Sequence, residues 1–166
     1  MSFCPFNGYI MNDKEFFMKA ALEEAEKAYS LGEAPIGAII VKDGKIIASA
    51  HNLRETGKNV LYHAELLAID SACKALGGWR LHQCDMYVTL EPCIMCSGAI
   101  HQSRIKNLYF GAPDPKGGAV LSGIATHASN GLFCHTNCEG GILLDECQEI
   151  LKRFFRELRK GKSYDK

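Results

Sequence analysis

No stretch of this 166-residue chain approaches the roughly 18 consecutive apolar residues of a membrane-spanning helix, so no span is expected. The opening MSFCPFNGYIMNDKE has neither a basic n-region nor an apolar core, and no secretory leader is expected from it. Without export, the eight cysteines point to thiols and metal ligands rather than a disulfide framework, and the expected setting is the cytoplasm. Neither sign of charge prevails: 19 Lys and Arg balance 19 Asp and Glu, so overall charge selects no partner. Internal repeats and linkers are also missing. What is present, 47% hydrophobic and 23% charged residues, suits a chain that buries a core and excludes disorder and collagen-like repeats. The length suits one domain over 1–166, with 1–11 expected to be flexible and 160–166 a basic tail. From Lys152 to Lys166 the chain carries a net +5, which can meet phosphates or simply complement a helix C-terminus.

Local patterning predicts alternating helix and strand. Asn12 is a candidate helix cap with Glu15 in capping-box position, and Phe17, Ala21, Ala25 and Ala28 form an apolar stripe that Gly32 ends. Ile36–Val41 and Lys45–Ala50 flank Asp43-Gly44, which predicts a hairpin. His63–Leu76 has helical spacing, Met86–Leu90 and Ile105–Phe110 read as strands, and Pro92 is expected at the first position of a helix running to about Gln102. Residues 111–141 give no firm assignment. From Leu143 to Arg159 one helical face stays apolar through Cys147, Ile150, Leu151, Phe154, Phe155 and Leu158. A hairpin followed by strand–helix alternation implies an α/β fold, a mixed sheet sandwiched between helices.

The chemistry is concentrated at two predicted helix starts. His63-Ala64-Glu65 opens one, and Glu91-Pro92-Cys93-Ile94-Met95-Cys96 opens the other directly after a strand. Cys93 and Cys96 are spaced to bring both sulfurs to one side of a first turn, where the helix dipole favours thiolates. With His63 they make a nitrogen-and-sulfur set suited to zinc. Three ligands rather than four leave one position for water, as catalytic zinc sites do, and Glu65 stands beside it as an acceptor for the water's proton. Either motif alone is weak; His-x-Glu with Pro-Cys-x-x-Cys is the signature of zinc nucleobase deaminases.

With these motifs in place, the chain resembles the bacterial tRNA-specific adenosine deaminases of the cytidine deaminase-like superfamily. The resemblance extends through GEAPIGAIIVKDGKIIA (32–48), AHNLRE (50–55), GGWRL (77–81), MYVTLEPC (86–93), FGAPDPKGG (110–118) and RFFRELRK (153–160). It implies a three-layer α/β/α sandwich with a mixed five-stranded sheet, a homodimer, and one Zn2+ per subunit. It implies hydrolysis of the wobble adenosine of a tRNA anticodon loop to inosine. By motif, His63, Cys93 and Cys96 would hold zinc, Glu65 would shuttle protons, Asn52 would contact the flipped nucleoside, and Asp114 would lie beside the anticodon strand.

One segment departs from the family pattern. Where an Asn-His-Arg stretch is usual, residues 131–138 read GLFCHTNC, with Asn130, His135 or Asn137 as candidate substitutes. The departure admits a second reading, a zinc-dependent deaminase of a free base or nucleoside such as guanine or cytosine. A third, a structural zinc module binding nucleic acid, would need a fourth protein ligand and gives Glu65 no task. Cys134, His135 and Cys138, with Cys147, form a weaker candidate for a second metal group. Cys73 and Cys84 are expected in the core, and Trp79 is expected to anchor the loop after a helix.

Overall fold

The computed structural model describes residues 13–122 and 136–161. The expectations for residues 1–11, Asn12, Asn130, Cys134, His135 and the end of the basic tail lie outside those residues. Helix α1 (Asp13–Ser30) opens with Asp13 and Glu15 in its first turn, the sign that a helix N-terminus favours. Strands β1 (Gly37–Lys42) and β2 (Lys45–His51) form the hairpin, and Asp43 and Gly44 both take positive φ, 50° and 71°, as a tight two-residue turn requires. Helix α2 (Ala64–Leu76), strand β3 (Cys84–Leu90), helix α3 (Ile94–Gln102) and strand β4 (Asn107–Ala112) follow, then β5 (Asn137–Gly140) and α4 (Leu144–Gly161).

Two local expectations are corrected. Pro92 is not the first residue of α3; Cys93 occupies the N-cap with extended φ/ψ of −73° and 174°, and the helix proper begins at Ile94. Within the unassigned 111–141 stretch lies β5, whose four residues Asn137-Cys-Glu-Gly140 alternate too briefly to read as a strand.

The sheet runs β2-β1-β3-β4-β5, antiparallel across β1 and parallel from β3 to β5. Strand alternation divides the core between two faces. Ala38, Ile40, Met86, Val88, Leu108 and Phe110 pack with Ala64, Ala68 and Ala72 of α2 and Ile100 of α3. Ile39, Val41 and Tyr87 pack with Met18 and Ala21 of α1 and Cys147 of α4. This is the mixed five-stranded α/β/α sandwich that the sequence led us to expect. Parallel strands β3 and β4 end at the same edge, so the segment entering α3 and the segment leaving β4 emerge side by side.

Candidate active site

Two helix N-termini converge at that edge. His63 is the N-cap residue of α2, with φ/ψ of −75° and 147°, and Glu65 lies in its first turn. Cys93 caps α3 and Cys96 lies in its first turn. His63 Nδ1 is 3.8 Å from Cys93 Sγ and 3.5 Å from Cys96 Sγ, and the three donor atoms all lie within 4.8 Å of one another. With Zn–S near 2.3 Å and Zn–N near 2.05 Å, a tetrahedral site has N···S edges of about 3.6 Å. The donor set therefore fits zinc in both chemistry and spacing.

The electrostatics also call for a cation. Cys93 is pulled down to about 4, first by the Cys96 thiol donating to it and then by His63, although burial opposes the shift. Cys96 is pushed up by holding that hydrogen bond and by burial. Without a cation the two sulfurs therefore hold one negative charge between them; a bound dication would stabilise both as thiolates. Glu65 is buried, and desolvation raises its carboxyl to about 7, with the negative charge at Cys93 adding to the rise. A carboxyl poised near neutrality suits a group that takes and returns protons.

A cleft of about 480 Å³ opens onto His63 and Glu65 and is also lined by Asn52 and Glu33. Its opposite wall is α4, through Phe154, Phe155 and Leu158. The periodicity of α4 read all these residues as one docking stripe. The structure divides it: Cys147 and Ile150 are buried, Cys147 against the sheet, whereas Phe155 and Leu158 are each 43% exposed at the cleft. Arg153, one cation of the basic stretch that begins at Lys152, makes two 2.9 Å contacts to Glu26 and lies over the Tyr29 ring. It ties α4 to α1. Arg156, Arg159 and Lys160 are exposed.

Asn52 is buried at the cleft and its Nδ2 donates to Glu33 Oε2 at 3.3 Å. Glu33, to which the sequence reading assigned no role, also accepts the backbone N–H groups of Thr56 at 2.5 Å and Glu55 at 3.2 Å. Burial opposes its ionisation, but these donors outweigh it and hold the carboxyl below its usual range. One buried anion thus sets both Asn52 and the turn after it. Asp114 is not brought to the cleft; its Oδ1 accepts the N–H groups of Lys116 and Gly117 at 3.1 and 3.0 Å, closing its own turn.

The second metal group is not supported for Cys138 and Cys147. Cys138 packs on the α2 face of the sheet and Cys147 is buried on the α1 face, each pushed up to about 12 mainly by burial. Cys84 is in the core as expected, and Cys73 packs at its border. Trp79 is half-exposed with Arg80 over its ring, 4.1 Å from the centroid, rather than buried as an anchor.

Residues 11–159 match the family described as MafB19-like deaminase. A tRNA-specific adenosine deaminase of Bacillus subtilis (strain 168) is 52% identical over 92% of this chain and 94% of its own. Among solved structures, one from work on A-to-I editing by tRNA:A34 deaminases at the wobble position superposes with a TM-score of 0.79 and 46% identity, covering 82% of this chain and 99% of that one. A guanine deaminase from Bacillus subtilis gives 0.58 and 43%, over 60% of this chain and 64% of that one.

Proposed function

Since the chain belongs to the MafB19-like deaminases and to the tRNA-specific adenosine deaminases, we propose that it hydrolyses the wobble adenosine of a tRNA anticodon to inosine, with His63, Cys93 and Cys96 holding one Zn2+ per chain. The reading is carried by one arrangement: three donors spaced as three corners of a tetrahedron, with buried Glu65 beside them at a cleft. Zinc bound there supplies the Lewis acidity that makes water nucleophilic near neutral pH. Glu65 takes a proton from the attacking water and delivers it to the adenine ring nitrogen. The water oxygen bonds to C6, the C6–N bond breaks, and Glu65 passes the second proton to departing ammonia. Adenosine and water thus become inosine and ammonia.

The base must leave its stack to reach such a site, and an anticodon loop presents bases already splayed. Asn52 meets the flipped nucleoside, while Phe154, Phe155 and Leu158 offer it an apolar wall. The free-base reading is weaker, because the Bacillus subtilis guanine deaminase superposes over 60% of the chain with a TM-score of 0.58, against 82% and 0.79 for the structure from the tRNA:A34 deaminase work. The tRNA reading supports the cytoplasm as the setting of this work. Val60 and Leu61 just before His63, and Ile94 just after Cys93, are 67%, 53% and 55% exposed. Such apolar exposure beside the site supports a homodimer.

Incubation with a total tRNA pool and, separately, with free nucleosides and guanine tests the substrate. Inosine should appear in the tRNA digest. Guanine turnover without tRNA-borne inosine would overturn the reading. Replacing Arg156 and Arg159 together with Ala should weaken tRNA binding at unchanged zinc content. Its log–log salt dependence should flatten by roughly 0.7–0.9 for each phosphate no longer neutralised. Unaltered affinity and slope would make the arginines merely a solvated helix end.

A further inference from the structure

Glu91 stands two residues before a metal-ligand cysteine, is 2% exposed, and spends its carboxylate on backbone amides. Oε2 accepts the N–H of Asp114 at 3.0 Å. Oε1 accepts those of Val120 at 3.2 Å and of Leu121 and Ser122 at 2.7 Å each. The donors belong to one stretch, 114–122, which leaves β4 and runs past the start of α3. Between the two fastened ends it touches the site: Gly118 forms a bridge with Cys93, and Ala119 N–H donates to Pro92 O at 2.9 Å. Gly118 has no room for a side chain, since a Cβ would stand 2.5 Å from Asp114 O and 2.6 Å from the Glu91 carboxyl.

A stretch without regular structure is thus fastened by one anion at its beginning and end. Charge-assisted bonds to a buried carboxylate are the strong kind, and a neutral replacement leaves buried N–H groups without acceptors. The exposed face of the stretch includes Pro115, Lys116, Gly117 and Leu121. A strand that threads one nucleotide to the metal site must run its neighbours past the segments that flank that site, and this stretch flanks it at Cys93 and Pro92.

We propose that Glu91 is a positioning residue: its carboxylate fixes residues 114–122 as a rigid wall beside Cys93, against which the RNA strand flanking the target base is held. The proposal rests on the tRNA reading above. It differs from a purely structural role in predicting reduced substrate affinity with the chemical step preserved.

Glu91→Gln keeps the shape but replaces one acceptor oxygen with a donor. In this variant amide exchange accelerates at Asp114, or at Val120, Leu121 and Ser122, according to which of these N–H groups the side-chain NH2 now faces in place of an acceptor. KM for an anticodon stem-loop RNA rises roughly tenfold or more, with kcat within about threefold and zinc still one per chain. The Kd for the same RNA, measured in a Glu65→Ala background, rises in parallel. Gly118→Ala crowds the same contact without removing the charge and shifts KM and Kd in the same direction; it decides the matter if Glu91→Gln does not fold. Faster exchange with unchanged KM and Kd overturns the proposal, as does loss of zinc or a fall in kcat at constant KM. A wild-type enzyme that leaves the stem-loop unmodified sinks the substrate reading, and this proposal with it.

Discussion

Glu65→Ala lowers turnover by about 10²–10⁴-fold, the usual contribution of a positioned acid–base group, while zinc and fold are retained. Glu65 lies in the first turn of α2 and is buried at the cleft. Desolvation raises its carboxyl to about 7, where it can both accept and return a proton. Nothing else among the described residues of the cleft duplicates this. Glu33 is committed to the Thr56 and Glu55 amides, and its carboxyl is held on the ionised side. Glu65→Gln, which keeps the volume and removes the titration, should fall as far as Glu65→Ala. Zinc content measured with kcat on a tRNA substrate separates the roles. If Glu65→Ala lost its zinc with the fold intact, Glu65 would be a fourth ligand and the site would be closed.

Cys93→Ala and Cys96→Ala lose metal and activity together. Each sulfur supplies one corner of the donor triangle, with His63 Nδ1 at 3.8 and 3.5 Å. One thiolate and an imidazole do not hold zinc as a thiolate pair and imidazole do, so elemental analysis should fall from about one equivalent to near none. Removing the metal by chelation from the unmodified chain should give the same inactive state, reversible on adding zinc. Bound metal stabilises whatever it binds, so apo protein should also melt lower, by about 2–4 °C for each kcal/mol of binding forfeited in a chain of this size. A Cys93→Ala protein that kept one zinc and full turnover would remove Cys93 from the ligand set.

Much of this site was legible because its signals are local. His63 and Glu65 share one helix start, and Cys93 and Cys96 another, so their spacing and the dipole at a helix N-terminus speak within a few residues. The hairpin, the strand–helix alternation and the amphipathic α4 are local in the same way. Hydrophobic periodicity of 2 or 3.6 residues therefore suffices to place them in an α/β sandwich.

Other features depend on residues distant in sequence. Glu33 and Glu91 fall within recognisable segments, yet their roles are not legible there, because their partners are mainly backbone amides 22 to 31 positions away, which carry no side-chain signature. Arg153 reads as one cation of a basic tail until α1 brings Glu26, 127 residues distant, against it. The apolar stripe of α4 is continuous in sequence, yet periodicity reports only which residues share a face, not whether protein or cleft covers it. Sequence thus determined which side chains, His63, Glu65, Cys93 and Cys96, stand at the candidate site and the elements that carry them. Long-range folding decided which buried carboxylates hold the walls, where the cleft opens and which arginines remain exposed, since burial and the pairing of charges exist only once distant segments have met.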